Sequence, residues 1–170
     1  TAKRIIALLS NYHLTFENSD KEYQDNFNGI IQKQTNHLIQ EITKSKSIED
    51  KIIGCASIIL AGLCYQNEKN YLSYGLSALK RVVDTSIDNQ GFPKSRSFKQ
   101  LIFYLKYFIL IREWIKESQS PIPEFIDETI YYLGQGYAFM WQNIETDLLF
   151  NGNNISNNLE FDQYLKRLGY

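Results

Sequence analysis

Cysteine, methionine and histidine are scarce in this 170-residue chain, at two, one and two copies. No Cys-x-x-Cys or Cys/His spacing occurs, so a thiolate metal site or a dithiol redox motif is excluded. Cys55 and Cys64 are nine residues apart in one apolar run. On a helix they would point to opposite faces about 13 Å apart along the axis, too far to bridge. Both read as small buried hydrophobes, and cysteine usage does not indicate a compartment. An excess of charge of one sign is also missing: 18 Lys and Arg stand against 19 Asp and Glu, for a net charge of -1. A nucleic-acid groove needs clustered cations, whereas both signs are interspersed here, so no nucleic-acid partner is expected. The apolar uncharged stretch Ile52 to Gln66 is shorter than the roughly 20 residues that span a bilayer. No signal or transit pattern is legible. The chain begins at Thr1 rather than Met, from which a removed N-terminal part is expected.

Chemical signatures are equally sparse. There is no HExxH zinc helix, no GxxxxGK[ST] phosphate loop, no GxSxG elbow and no strand leading into GxGxxG. Gly134-Gln135-Gly136 sits inside a helical pattern and reads as close helix packing. No cofactor and no metal are expected.

What the chain does contain is apolar residues at three and four spacing almost throughout, with little period-two alternation. The fold class is therefore all-α, in one domain over residues 1–170, long enough to bury roughly two-thirds of its unfolded surface. A first helix is predicted from Lys3 to Phe16. Ser19-Asp20 caps a second, to about Thr43, with a seam of Tyr23, Phe27, Ile30, Ile31, Gln34, Leu38 and Ile42. Ser47, with Asp50 three residues on, caps a helix from Ile48 to Tyr65 that is apolar nearly all round and must be buried on every side. An amphipathic helix follows from Tyr71 to Asp84. Asp88-Asn89-Gln90-Gly91 and Pro93 form a turn, before an aromatic and aliphatic helix from Phe98 to Trp114. Pro123 opens the next, to Trp141. A short extended piece near Asp147–Gly152 and a helix from Leu159 to Leu168 complete the chain. Hairpins thus begin near Asp20, Tyr71 and Pro123, about fifty residues apart, without internal repetition.

Two polar groups stand out. On an ideal helix His37 lies about 20° from Ile30 and about 40° from Glu41, which predicts a half-buried imidazole at the edge of the apolar stripe, with a carboxylate one turn on. It reads either as a core-edge histidine paired with Glu41 or as a functional group. Asn36 precedes it and points to a different side of the helix. Lys94, Arg96 and Lys99 surround the Pro93 turn and could meet an anion, or form a solvated loop.

Asn36-His37-Leu38, then Leu60-Ala61-Gly62-Leu63, then Asn89-Gln90-Gly91-Phe92 with Ser95-Arg96-Ser97, then Leu110-Ile111-Arg112 and finally Phe150-Asn151-Gly152 follow an order that resembles heparinase II/III-type proteins, in their bacterial branch. The resemblance covers essentially the whole chain and lies in the joint order of the motifs. It implies an incomplete (α/α) toroid of helical hairpins, the N-terminal helical part of a longer, periplasmic protein whose β-sandwich domain would follow Tyr170. It also implies a polysaccharide lyase. Such enzymes cleave uronate-containing chains by β-elimination, which requires a neutralised carboxylate, a base for the C5 proton and an acid for the departing oxygen. By this resemblance Asn36 and His37 are the catalytic candidates, neutralising the uronate, and Arg96, Lys94 and Lys99 the substrate-binding ones. The partner is an acidic polysaccharide, with Tyr104, Tyr107, Trp114 and Trp141 as candidate stacking surfaces. Two positions depart from the family pattern: Phe98 and Lys99 stand where its Tyr would fall, and Phe92 replaces its turn histidine. The alternatives are a non-catalytic carbohydrate-binding or assembly module on the same toroid, and a generic helical scaffold.

Overall fold

The computed structural model describes residues 1–65, 69–142, 149–150, 153–154 and 159–170. Among the described residues the regular structure is helical apart from one minute ladder. The helices are α1 (Ala2–Ser10), α2 (Tyr12–Thr15), α3 (Lys21–Glu41), α4 (Ile48–Cys64), α5 (Lys69–Ser86), α6 (Phe98–Glu117), α7 (Glu124–Gln142) and α8 (Leu159–Leu168), with a 3-10 turn at Ile42–Lys44. Strands β1 (Leu149–Phe150) and β2 (Asn153–Asn154) pair antiparallel, Leu149 opposite Asn154. The Phe150-Asn151-Gly152 motif runs partly outside the described residues.

Helix starts follow their caps. Asp20 accepts from the Tyr23 amide at 2.8 Å, Ser47 from Asp50 at 3.2 Å and Ser97 from Gln100 at 3.4 Å, each satisfying an amide that the first turn leaves unpaired. The expected single helix from Lys3 to Phe16 is instead broken at Asn11, where the backbone leaves helical angles (φ -110°, ψ 37°). The Asn11 side chain donates back to the Ala7 carbonyl and Thr15 Oγ1 reaches the Leu8 carbonyl. These are the side-chain-to-backbone bonds by which such residues compete with a helix.

α4 is the centre of the fold. It packs against α1, α3, α5 and α6, and every residue from Ile52 to Gly62 is buried. Neighbours on all sides remove the need for a polar face, as its composition foretold. α4 and α5 form an antiparallel hairpin at unusually short range. A Cβ on Gly62 would lie 2.4 Å from the Leu72 backbone nitrogen, and one on Gly75 would lie 2.7 Å from Ile59. α6 is nearly as buried, through Leu101, Tyr104, Leu105, Phe108, Ile109, Ile111 and Ile115. α7 runs back along it: Arg112 Nε bonds Asp127 Oδ1 at 2.6 Å near one end, and Phe98 stacks on Tyr137 at 5.8 Å near the other. At Gly136 an added Cβ would meet Phe92 and Leu101 at 3.1 and 3.2 Å, so this glycine marks close packing; at Gly134 it would meet nothing. α8 closes against α7, the Tyr137 hydroxyl donating to Asp162 Oδ1 at 2.6 Å.

α3 and α5 lie side by side in the same direction, joined by hydroxyls. Tyr71 Oη donates to Asn36 Oδ1 at 2.8 Å and Tyr74 Oη to the Ile39 carbonyl at 3.2 Å. Beside this seam, Tyr65 Oη donates to Asn28 Oδ1 at 2.9 Å. The α3 core stripe is narrower than its sequence pattern: Phe27, Ile31, Thr35 and the following Ile42 are buried, but Tyr23 and Ile30 are about half exposed. Partners cover α3 on one side only, so the outer edge of its apolar stripe remains in water.

Candidate functional site

Asn36 and His37 both lie exposed on α3. The Tyr71 hydroxyl fixes Asn36 by donating to its amide oxygen, and the two amide N–H donors have no partner among the described residues. An asparagine held in this way presents neutral donors to an incoming acceptor. His37 departs from the expectation of a half-buried imidazole paired with Glu41. Glu41 is bonded instead to Lys44, at 2.7 Å. That ion pair is the largest reason the Glu41 carboxyl sits below its usual value; weak burial opposes it, and His37 contributes least. Lys44 wins because the 3-10 turn curls it back over the end of α3.

The Pro93 turn is a compact self-bonded unit. Asp88 Oδ1 accepts from the amides of Gln90 and Phe92 at 2.9 and 3.0 Å, and its Oδ2 pairs with Arg96 Nη1 at 2.6 Å. Burial works to raise the Asp88 pKa, but the Phe92 and Gln90 amides and the Arg96 guanidinium outweigh it, and the carboxyl lies below its ordinary value. Arg96 adopts a left-handed backbone, φ 59°, a conformation costly for a residue with a Cβ and sustained by its surroundings. Gly91 has φ 80°, and a Cβ there would fall 2.3 Å from that of Tyr132, so glycine is required twice over. Lys94 Nζ donates to the carbonyls of Asp84 and Thr85, both at 3.1 Å. It caps the end of α5, as a cation should. Lys99 is exposed and its charge acts on Glu49, whose other partners are Gln100 and Ser47.

These residues form two stations rather than one pocket. Asn36 touches the first turn of α5 through Tyr71, and the Lys94 amide bonds the Ser86 carbonyl at its last turn. Fifteen residues of helix separate Tyr71 from Ser86, or about 22 Å of rise. Of the proposed stacking residues, Tyr104 is buried, and Tyr107 and Trp114 are half-buried against the core; the Trp141 side chain lies outside the described residues.

A groove of about 690 Å³ between the end of α5, the Pro93 turn and the start of α7 was not foreseen. Its lining includes Asp84, Asp88, Glu124 and Glu128 against the single cation Lys80. Such a lining disfavours an anion within the groove itself. It escaped the sequence reading because its carboxylates come from segments some forty residues apart that no local spacing connects. Tyr71 escaped too, since at helical spacing it is indistinguishable from a core residue. Among the described residues no three His, Cys, Asp or Glu side chains cluster so as to hold a metal, and no helix is long and apolar enough to cross a membrane.

Comparison with known proteins adds no assignment: no family model, no curated protein and no solved structure matches this chain.

Proposed function

We propose that this chain is the helical part of a heparinase II/III-like protein, an incomplete (α/α) toroid that binds acidic, uronate-containing polysaccharide and contributes to its β-elimination within a longer parent. The observation that carries this reading is the Tyr71–Asn36 bond. It turns an exposed asparagine into a fixed pair of N–H donors, the chemistry that neutralises a carboxylate, one residue before an exposed imidazole on the adjoining side of α3. Two stations about 22 Å apart along α5 suit a polymer better than a small molecule. At the far station Arg96 meets the anionic substituents, positioned by Asp88, while Lys94 supports it from the α5 terminus and Lys99 adds charge nearby.

A second reading, a binding module without elimination chemistry, is favoured by one observation. Phe98, where the family's Tyr would fall, is buried and stacked on Tyr137. It supplies no hydroxyl to take the C5 proton.

Titration of the chain with a panel of uronate polymers, followed calorimetrically and by the ultraviolet absorbance of the unsaturated product, tests both readings. Binding is expected, and weakened at least tenfold by His37→Ala and by Asn36→Ala. Both residues are exposed, so His37→Ala should alter stability by no more than about 0.5 kcal/mol. Binding with no chromophore selects the module. No binding to any uronate polymer overturns both readings.

A further inference from the structure

Just past the C-terminal end of α3 lies a small cavity of about 210 Å³, formed by Ile42 and Thr43 after α3, Lys51 and Cys55 on α4, and Ala78, Arg81, Val82 and Thr85 on the second half of α5. Its floor is apolar, from Ile42, Cys55, Ala78 and Val82, all buried. Its only charged lining groups are two cations, Lys51 and Arg81, contributed by different helices. Neither pairs with a carboxylate among the described residues, whereas Lys44, Arg96 and Arg112 each do. No acidic side chain lines the cavity, in contrast to the groove beside α7.

We propose that this cavity is an anion subsite that takes a carboxylate-bearing six-membered ring, the carboxylate between Lys51 and Arg81 and one ring face on the apolar floor. Size supports it: an apolar cavity of about 150 Å³ already admits a six-membered ring. Electrostatics support it as well. Burial pushes the Cys55 thiol up to about 12, so the floor stays uncharged, while the positive charges of Arg81 and Lys51 both act on that thiol. The two cations therefore bear on the same small volume. Placement is the third support. Tyr71, Tyr74, Ala78, Arg81 and Thr85 fall on one stripe of α5 at three and four spacing, so the cavity lies between the two stations, Arg81 about 15 Å of helical rise beyond Tyr71. A guanidinium and an ammonium converging on one carboxylate form charge-assisted hydrogen bonds. The choice of a uronate over another ring-borne carboxylate rests on the glycan-binding reading.

Nuclear magnetic resonance titration of the isotopically labelled chain with glucuronate, glucose and benzoate separates the possibilities. Glucuronate is expected to shift the amides around Cys55 and Ala78, glucose to leave them unmoved, and Arg81→Gln or Lys51→Gln to weaken glucuronate at least tenfold with an unchanged melting temperature. Glucuronate shifts confined to Asn36 and His37, and indifferent to both variants, overturn the cavity while leaving glycan binding intact. Benzoate at the cavity without glucuronate overturns the uronate assignment, and the polymer titration decides the glycan reading separately. Silence from both ligands overturns the subsite.

Discussion

Alanine at Gly62 and alanine at Gly134 are the same substitution in helix interiors, and the structure predicts opposite signs for them. Removing a helical glycine gains roughly 1 kcal/mol of helix propensity. At Gly134 nothing lies within 4 Å of the new methyl, so Gly134→Ala should realise that gain. At Gly62 the methyl would stand 2.4 Å from the Leu72 nitrogen, 2.8 Å from its Cα and 2.9 Å from its Cβ. Two of these are backbone atoms of the facing helix, which no rotamer change can withdraw. α4 and α5 must separate by about 1 Å to restore ordinary contact distances, loosening a crossing that holds Ile58, Ile59 and Leu79 at full burial. Overpacking of this kind costs about 1–3 kcal/mol or more, so Gly62→Ala should destabilise by up to about 2 kcal/mol after the propensity gain is subtracted. Urea unfolding reads both variants against the parent. A midpoint for Gly62→Ala that rises alongside that of Gly134→Ala would refute the close crossing of α4 and α5.

Two further outcomes follow from the site chemistry. Asp88 has a folded-state pKa below its unfolded value near 3.8, so its contribution to stability is present above that value and is lost as pH falls through the folded one. The stability gap between the parent and Asp88→Asn should accordingly be widest near neutrality and shrink below about pH 4 in pH-dependent urea titrations; a gap independent of pH would show that the Asp88 carboxylate does not hold the turn. Cys55 is buried with a thiol raised to about 12, whereas Cys64 is exposed. A thiol reagent at pH 8 should label one cysteine in the native chain and two in denaturant, and prompt native labelling of both would show that the cavity floor is open.

The helical architecture was legible because its signals are local. Asp20, Ser47 and Pro123 announce helix starts, and the lack of any polar face on Ile52–Gly62 announces burial without reference to a neighbour. The functional geometry was less legible because it depends on what each helix meets. Periodicity placed His37 at a core edge but could not show that α3 is covered on one side only, or that Lys44 would turn back to claim Glu41. Lys94 looked like an anion ligand until Asp84 and Thr85 supplied carbonyls for it. Tyr71 and Tyr74 were indistinguishable from core residues at helical spacing, and only the placement of α3 gave their hydroxyls Asn36 and the Ile39 carbonyl to meet. The break at Asn11 depends on short polar side chains bonding their own backbone, a competition that helical periodicity does not register.

The glycines of the α4–α5 hairpin have a consequence beyond packing. Lys51 is carried by α4 and Arg81 by α5, and the backbones of those helices touch through Gly62 and Gly75. At Gly62 no side-chain layer lies between them to absorb relative sliding. The spacing of the two backbones that carry these side chains is thus set by direct contact. The hairpin works as a rigid mount: the two helices cannot slide past one another, and any adjustment between Lys51 and Arg81 falls to their own flexible stems.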